Sequence, residues 1–468
     1  MKIKLIYKII VFTVFTIFSI ANIKSQPSLT WEKLYGYPYN DDGAYDVCES
    51  SDGNFFVVGN SGSTASNNRL YVLKINQSGD TLWTKKYDIG EYGYGVAKSN
   101  DCGCVITGYG VDSLYILKID CSGNIVWQRT YTGGICFDIQ RVSDGGYIAC
   151  GYHVFKGYLM KVDSAGNLLW DKHYTVSNQM GFMSCIEAID GGYIFGGYVM
   201  DPNPSYIELL KVDNNGETVW ERRTQMFNMP GSLTSIKILG DKYIIFGITS
   251  QIFFAKLNRN GIQESAYMFP DGGLESLPAA NVINENKFVF TSQIYPSTGD
   301  TMFVKNWISD SSGNILSEKT YRTNGYMLFQ SILPLNNKDI LFAGIYKQLP
   351  HGNNDEIFIV RTDSTLYSKP LLIKLDGINI PQEFTLYQNY PNPFNPVTHI
   401  EFGIFNPGFV SLKIYDVLGN EIKTLVNEYK PAGSYSVTFD ATNYPSGVYY
   451  YKITTGSFIQ VRKMILIK

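Results

Sequence analysis

The sequence has few charged residues, only four histidines and no run of lysine or arginine. Charged residues make up 17% of the 468-residue chain, with 39 Lys and Arg against 42 Asp and Glu and a formal net charge of −3. Globular chains are about one quarter charged, so this composition argues against a disordered tail protein or a solvated helical array. A near-neutral chain without a basic run also lacks the electrostatic footprint of a nucleic-acid binder. We therefore expect a folded protein with no nucleic-acid partner.

Sequence motifs for metals, cofactors and nucleophilic catalysis are missing as well. The histidines at 153, 173, 351 and 399 form no i, i+4 pair with an intervening Glu, and no Gly-x-Ser-x-Gly elbow or phosphate-cradling loop occurs. Cys102 and Cys104 stand too close together for the usual pair of zinc ligands. We therefore expect no cofactor and no metal, and we assign no catalytic residue.

All seven cysteines lie in the first half of the chain, at 48, 102, 104, 121, 136, 150 and 185. An odd count leaves at least one thiol without an internal partner, and the sequence does not determine the pairing.

The residues that are abundant are tyrosine, phenylalanine and glycine. There are 35 Tyr, 27 Phe and 44 Gly, against 11 Met. Aromatic residues favour strands and glycine favours tight turns, so the composition predicts a strand-rich fold.

The N-terminus has the order of a secretory signal peptide. Lys2, Lys4 and Lys8 precede an apolar stretch at 9–20, which polar residues follow. Twelve residues are too few to span a bilayer core of about 30 Å, although an uncleaved anchor is the alternative. We predict a signal peptide at 1–25, with cleavage after Ala21 or after Ser25, and no transmembrane span afterwards.

The middle of the chain repeats. A unit reads Asp-Gly-Gly-Tyr at 144–147, Lys-Val-Asp at 161–163, then a turn glycine and a tryptophan four residues later. Six complete units can be aligned on their turn glycines, which are 43 to 52 residues apart: Gly79, Gly123, Gly166, Gly216, Gly261 and Gly313. Each unit alternates apolar and polar residues in short runs between turns, which predicts four antiparallel strands. Periods of this length with four strands are typical of propeller blades.

The seventh unit is incomplete at its end. It stops after 360–363 without a tryptophan-bearing outer strand, whereas 29–35 is such a strand with no unit before it. The two deficits match, so we predict that 29–35 pairs into the last blade and closes the ring. The units resemble the secreted seven-bladed propeller repeats of bacterial surface proteins over 28–366, a resemblance that concerns architecture and not activity.

The residues that recur at one position in several units have a structural interpretation. Asp120, Asp163 and Asp213 each lie three residues before a glycine. The residues between each aspartate and its glycine do not supply a calcium ligand set, so a hairpin turn is the simpler explanation. Tryptophans at one repeat position predict packing between neighbouring blades rather than ligand stacking. These residues are Trp31, Trp83, Trp127, Trp170 and Trp220.

A second domain follows a predicted linker at 367–383. Its predicted strands are 397–404, 410–417, 421–426, 435–439, 447–454 and 458–467, separated by turns. About six short strands in about 85 residues are typical of an immunoglobulin-like β-sandwich.

Residues 384–468 resemble the type A C-terminal sorting domain of proteins exported by the type IX secretion system. The resemblance rests on Tyr-Pro-Asn-Pro-Phe-Asn-Pro at 390–396 and on a series of later positions. The signature positions are Tyr390, Pro391, Asn392, Pro393, Phe394, Asn395, Pro396, Asp416, Gly419, Gly433, Gly447, Tyr449 and Lys463. The resemblance implies export by the type IX machinery, followed by release or by attachment to surface polysaccharide. An ordinary accessory sandwich is the alternative.

The sequence thus predicts an all-β protein, a seven-bladed propeller followed by a sandwich, secreted or displayed at the outer-membrane surface. We expect a module that binds a glycan or a protein. The alternative is a secreted polysaccharide hydrolase or lyase, with carboxylates converging at the propeller mouth, because propeller loops bring distant residues together.

Overall fold

The computed structural model describes the chain from residue 30 onward, apart from several loops. The described residues are 30–36, 40–62, 67–175, 179–200, 206–269, 279–294, 303–322, 326–347, 355–368, 384–404, 408–430, 433–455 and 458–468. The predicted signal peptide, His351 and most of the predicted linker lie outside these ranges.

Seven four-stranded antiparallel sheets form the first domain, and each is a blade. Blade 7 comprises β26 (Tyr326–Pro334), β27 (Ile340–Lys347), β28 (Glu356–Thr362) and β1 (Trp31–Tyr35). Blades 1 and 2 comprise β2 (Asp41–Glu49), β3 (Phe55–Gly62), β4 (Arg69–Ile75), β5 (Thr81–Tyr87), β6 (Tyr92–Lys98), β7 (Cys104–Gly110), β8 (Ser113–Ile119) and β9 (Ile125–Thr132). Blades 3 and 4 comprise β10 (Ile135–Arg141), β11 (Tyr147–His153), β12 (Lys156–Val162), β13 (Leu168–Tyr174), β14 (Gln179–Glu187), β15 (Tyr193–Met200), β16 (Tyr206–Val212) and β17 (Thr218–Thr224), followed by a 3-10 helix, Met226–Asn228. Blades 5 and 6 comprise β18 (Ser232–Leu239), β19 (Lys242–Ile248), β20 (Ile252–Leu257), β21 (Gln263–Met268), β22 (Ala279–Asn284), β23 (Lys287–Ile294), β24 (Phe303–Asp310) and β25 (Ile315–Arg322).

The blades close into a ring. The first strand of each blade contacts the first strand of the next, and β26 of blade 7 contacts β2 of blade 1. The predicted fold class, a seven-bladed β-propeller, is confirmed.

Ring closure uses strands from opposite ends of the domain. β1 pairs antiparallel with β28, and Trp31 lies opposite Arg361 while Lys33 lies opposite Ile359. Since the outer edge of β28 is thereby hydrogen-bonded, the seventh blade has the same four strands as the others.

The hydrophobic core lies between blades rather than within one centre. One cluster joins Phe56 and Leu70 of blade 1 to Val96 and Ile106 of blade 2, and similar clusters occupy the other junctions. Full burial of such a side chain stabilises the fold by about 1.5–3 kcal/mol, so most of the stability resides in these junctions.

An ion pair with a largely buried cation recurs within five blades, and in blade 7 the aspartate is buried as well. The Asp before the second strand pairs with a Lys or Arg on the third strand, at 2.7 Å for Asp52 and Lys74 and at 2.9 Å for Asp339 and Arg361. The other pairs are Asp101 with Lys118, Asp144 with Lys161 and Asp190 with Lys211. This pairing explains why aspartate and lysine recur at these positions in the repeat.

The turn between the third and fourth strands has one geometry. Asp120 Oδ1 accepts hydrogen bonds from the N–H of Ser122 and of Asn124, both at 2.8 Å, and Gly123 has φ 75°. Both hydrogen bonds hold the pKa of Asp120 below its usual value, and the one from the N–H of Asn124 contributes most. A carboxylate used in this way caps a turn, and the described residues include no group of three or more His, Cys, Asp or Glu that could hold a metal ion.

The second domain consists of two facing sheets. One contains β29 (Thr385–Leu386), β30 (Val397–Ile404) and β33 (Gly433–Asp440), and the other contains β31 (Gly408–Tyr415), β32 (Glu421–Lys430), β34 (Gly447–Thr455) and β35 (Phe458–Leu466). Side chains from both sheets, among them Ile400 and Leu412, share one core. The predicted sandwich and its six strands are therefore present. The predicted strand end at Val417 was wrong, because the Asp416 carboxylate caps the turn that follows Tyr415.

Candidate ligand-binding channel

The inner strands carry a β-bulge at a common position. In six blades, one residue in the middle of the first strand is skipped in the pairing with the second strand. In blade 6 the skipped residue is Ile283, next to the end of the strand and outside this common position. A bulge re-aims the side chain of the extra residue. The extra residues at the common position all line an axial cavity of about 580 Å³, and they are Tyr45, Tyr94, Phe137, Met183, Thr234 and Gln330.

The residue after the bulge connects neighbouring blades. Asp46 Oδ2 accepts a hydrogen bond from the N–H of Val96 in blade 2 at 2.9 Å, and Asp138 Oδ2 accepts one from the N–H of Cys185 in blade 4 at 2.9 Å. Ser331 of blade 7 donates its hydroxyl to Asp46 Oδ1 at 2.7 Å. Both channel aspartates are therefore committed to holding blades together.

The two aspartates are also electrostatically coupled. Burial raises the pKa of Asp46 to about 6, and the charge of Asp138 adds to the increase, while hydrogen bonds from Ser331 and from the N–H of Val96 oppose it. Asp46 consequently changes charge in mildly acidic solution rather than near pH 4.

Aromatic rings crowd one side of the channel. The ring centroids of Tyr45 and Tyr94 are 5.1 Å apart, those of Tyr94 and Phe137 are 5.7 Å apart, and Tyr92 stacks on Tyr94 at 5.8 Å. The pKa of Tyr94 is raised to about 12, mainly because the side chain is buried, so the phenol remains neutral. These rings present apolar faces together with hydroxyl groups.

Basic side chains dominate the charged residues at the end of the channel nearest the short turns. Lys98, Arg141 and Lys237 line the cavity near the ends of β6, β10 and β18, while Glu49 at the end of β2 is the acidic residue there. Three basic side chains against one acidic one at this mouth favour anionic ligands there, whereas the remaining charged lining residues of the cavity, Asp46 and Asp138, are acidic.

The repeated tryptophans lie away from the channel, at the junctions between blades. Each packs on the turn glycine of the next blade: Trp31 on Gly79, Trp83 on Gly123, Trp127 on Gly166, Trp170 on Gly216 and Trp220 on Gly261. The indole N–H groups of Trp31, Trp83 and Trp170 donate to backbone carbonyls of those turns at 3.0, 3.0 and 2.9 Å. A Cβ on Gly79 would lie 2.9 Å from the Trp31 ring, so this position requires glycine.

The cysteines take two forms. Cys102 and Cys121 form a disulfide that joins two turns of blade 2. The other five are buried without a disulfide: Cys48, Cys104, Cys136, Cys150 and Cys185.

The sorting-signature residues lie on both sheets of the sandwich and on the segment before β30. Phe394 is buried in the core, and Tyr390 is 81% exposed. Asn392 Oδ1 accepts a hydrogen bond from the N–H of Ile465 at 2.9 Å, which ties the segment to β35. The Tyr390–Pro391 and Asn392–Pro393 peptide bonds are cis.

The remaining signature residues are distributed over strands and turns. Asp416 and Gly419 form the same capped turn as in the propeller, and the buried Tyr449 donates its hydroxyl to Pro445 O at 2.7 Å. The other positions are exposed Asn395, half-buried Pro396, Gly433 at the start of β33, Gly447 at the start of β34 and Lys463 opposite Tyr450. The signature is thus a set of turn, core and strand positions rather than one cluster.

Sequence reasoning missed the channel-lining residues. They share no residue type, so no motif marks them. The bulge residues do share a spacing, since each lies seven residues before an Asp or Asn of the next turn, as Tyr45 does before Asp52 and Phe137 before Asp144. That spacing, combined with the predicted four-stranded unit, is the signal that could have found them.

Comparisons with known proteins identify the second domain. Residues 388–468 match the family described as "Secretion system C-terminal sorting domain". The predicted resemblance is confirmed, and it implies interaction with the type IX secretion machinery. With the propeller that precedes it, the chain is a secreted or cell-surface propeller protein. No curated protein matches the chain.

Several solved structures are similar in fold. A Streptogramin B lyase structure is 12% identical, with a TM-score of 0.47, and the match covers 71% of this chain and 98% of that one. The WD40 β-propeller domain of Doa1 is 13% identical, with a TM-score of 0.46 and coverage of 71% and 96%. A protein of unknown function from Bacteroides caccae is 14% identical, with a TM-score of 0.42 and coverage of 57% and 93%. We assign the fold from the sheet topology and transfer no activity from these proteins.

Within the ranges that the structure describes, no helix has the length and apolarity needed to cross a membrane.

Proposed function

We propose that this protein is a secreted or surface-displayed binding module that takes the end of an acidic glycan into its axial channel. The observation that carries the proposal is the combination of aromatic rings from successive bulges with a mouth lined by Lys98, Arg141 and Lys237. A cavity of about 580 Å³ lies in the range of small-ligand sites, which favours a sugar residue or two over a folded protein.

The channel carboxylates support binding over hydrolysis. Asp46 accepts three hydrogen bonds, from Ser331 and from the N–H groups of Val47 and Val96, and Asp138 accepts two. Glycosidases need two carboxyl groups that are free to reach the scissile bond. Aromatic faces stack on sugar rings, and the basic side chains supply the counter-charge.

A glycan array probed with the mature chain tests this function. We expect retention of uronate-bearing or sulfated glycans, and Tyr94→Ala or Arg141→Gln should weaken it about tenfold. Lys172→Gln is the matched control, because Lys172 is an outer-strand cation that pairs with Glu217 at 2.7 Å. Retention that is equal in the channel variants and the control would contradict the proposal.

One observation favours the hydrolase or lyase alternative. Asp46 has a pKa raised to about 6 and lies in the same cavity as Asp138, which is the arrangement of a carboxylate pair. Depolymerisation of an acidic polysaccharide by the mature chain, lost in both Asp46→Asn and Asp138→Asn, would establish that alternative. Binding without any increase in reducing ends would support the module.

Export supplies the second part of the proposal. We propose a signal peptide at 1–25, a propeller at 28–366 whose last blade is closed by 29–35, a linker at 367–383 and a sorting domain at 384–468. The mature protein is either released or attached to surface polysaccharide at the outer membrane. Deleting 384–468 should retain the propeller inside the producing cell, as measured by fractionation. Unchanged export of the truncated chain would refute the sorting role.

A further inference from the structure

The junction between blades 5 and 6 lacks two side chains that seal other junctions. At the junction of blades 1 and 2, Trp83 covers the next turn and Tyr87 donates its hydroxyl to Gly123 O at 2.7 Å. Blade 5 has Ser265 in place of the tryptophan and Phe269 in place of that tyrosine. The ring of Tyr267 contacts the turn glycine instead.

A second cavity lies at this junction. It has a volume of about 430 Å³ and is lined mainly by Ile252, Tyr267, Phe269, Ser292, Lys305 and Trp307. Its size is that of a small-molecule site, and it is separate from the axial channel in all its lining residues.

The aromatic walls of this junction cavity support one another. Trp307 stacks on Phe290 with centroids 5.1 Å apart and planes at 8°, and Phe269 meets Trp307 edge-on at 5.4 Å. Tyr267 packs edge-on against Phe269 at 5.0 Å. A ligand with a flat apolar body would meet a preorganised surface.

Two polar groups of the junction cavity are donors, the Trp307 indole and the Lys305 ammonium. Trp307 is 5% exposed, and its indole N–H has no hydrogen-bond partner among the described residues. Ser292 lies directly opposite Lys305 across the strand pair, two residues along from the pair of Phe290 and Trp307, and its hydroxyl donates to Gln293 O at 3.3 Å. Lys305 Nζ contacts Glu318 at 2.7 Å, and its ammonium has further protons to donate.

No acidic side chain lines the junction cavity within the described part of the chain. A buried N–H without a partner is costly, so an acceptor that reaches it is stabilised. With the Lys305 ammonium nearby, the acceptor that fits is an anion rather than a neutral carbonyl.

We propose that the junction between blades 5 and 6 binds a small aromatic carboxylate. The flat apolar body lies against the surface formed by Phe269, Tyr267 and Trp307, and the carboxylate accepts hydrogen bonds from the Trp307 indole and from Lys305. This site is independent of glycan binding in the axial channel.

Titration of the mature chain with indole-3-acetate and with its neutral analogue indole-3-acetamide tests the site, using ligand-observed NMR to obtain both dissociation constants. We expect the carboxylate to bind at least tenfold more tightly than the amide. Binding of neither probe, or equal binding of both, would overturn the proposal.

Two variants locate the binding. Trp307→Phe keeps the stacking ring and removes the donor, and it should weaken carboxylate binding about tenfold. Lys305→Met should abolish the preference for carboxylate over amide while leaving amide binding within about threefold. Trp170→Phe is the matched control, because Trp170 donates to Asn214 O at a different junction.

The variants also separate a local effect from unfolding. Each variant should retain the thermal unfolding transition of the parent chain within a few degrees, because a single junction is changed. If Lys305→Met fails to fold, Lys305→Arg provides the second measurement, and it should keep the preference for the carboxylate. Equal loss of binding in Trp307→Phe and Trp170→Phe would contradict a site at this junction.

Discussion

Blades 1 to 4 and blades 5 to 6 share one backbone and differ in how they are joined. Lys256 lies opposite Ser265 in blade 5 in the same register in which Lys74 lies opposite Trp83 in blade 1, with the same irregularity one residue later. Strand pairing therefore does not depend on the tryptophan. The tryptophan joins one blade to the next, and where it is replaced by serine the ring survives and a cavity lies at the junction.

Blade 7 illustrates an intermediate case. Ser317 of blade 6 donates its hydroxyl to Thr365 O at 2.6 Å, so a short polar side chain takes over the bond to the next turn. Trp31, by contrast, restores the tryptophan contact where blade 7 meets blade 1. Five consecutive junctions, from blade 7/blade 1 to blade 4/blade 5, thus carry the tryptophan contact, whereas the junctions on either side of blade 6 lack it. The following substitutions test that contrast.

The largest effect is expected at the closing junction. Arg361 is buried, pairs with Asp339 at 2.9 Å and donates to Gln77 O of blade 1 at 2.8 Å. Arg361→Met should lower the free energy of unfolding by about 3–5 kcal/mol, because it leaves a buried carboxylate without its partner. Denaturant unfolding measures the change. Lys256→Met changes the same repeat position in blade 5 and should lower the free energy of unfolding by under about 1 kcal/mol. Equal losses of stability in the two variants would contradict a difference between the two regions.

The next effect concerns the tryptophan itself. Trp83→Ala should cost about 2–4 kcal/mol, because it removes a half-buried ring and the hydrogen bond to Cys121 O. Ser265→Ala at the same repeat position should change stability by no more than about 0.5 kcal/mol. Thermal unfolding of the two variants side by side provides the measurement. A large loss in Ser265→Ala would mean that blade 5 is joined as firmly as blade 1.

The third effect depends on pH and compares blade 1 with blade 6. Asp46 and Asn281 each bond their own following N–H and reach the neighbouring blade, but only Asp46 ionises. Because its pKa is raised to about 6, the folded state binds more protons than the unfolded state between about pH 4 and 6, so ionisation destabilises the fold as pH rises.

Asp46→Asn should remove this loss. Relative to the variant, the parent chain should lose about 2–3 kcal/mol of stability between pH 4 and pH 7. Unfolding free energies measured at both pH values give the difference. A constant difference between parent and variant would show that Asp46 is not perturbed.

The smallest effect is a gain. Ser265→Trp combined with Tyr267→Lys gives blade 5 the side chains that blade 1 has at Trp83 and Lys85. We expect about 1 kcal/mol of added stability from the additional buried contact. The shift in the denaturant midpoint measures the gain. The single variant Tyr267→Lys is the control and should be neutral or destabilising. A destabilised double variant would mean that the packing of blades 5 and 6 no longer accommodates the tryptophan.

The fold was predictable because its signals are local and repeated. Turn glycines such as Gly123 mark each hairpin, and the unpaired Trp31 strand matches the incomplete seventh unit. The sorting domain was predictable from its proline-rich signature and its turns. Each of these signals depends on backbone conformation, which a few residue types restrict strongly.

The channel was less predictable. Tyr45, Met183 and Gln330 occupy one structural position with unrelated side chains, because a bulge constrains the backbone and not the residue that it presents. The cavity at blades 5 and 6 was hidden for a different reason. Ser265 is visible in the sequence, but whether Tyr267 fills the resulting space depends on the packing of neighbouring rings.

The pairing of β1 with β28 makes the order of synthesis matter. β1 has its partner, β28, more than 300 residues downstream, so it stays unpaired until nearly the entire propeller has been made. A chain truncated anywhere before Glu356 lacks β28, so it could not close the ring. Its unpaired strand edges would be exposed to proteases. Ring closure by β1 is therefore possible only in chains that have been synthesised through β28.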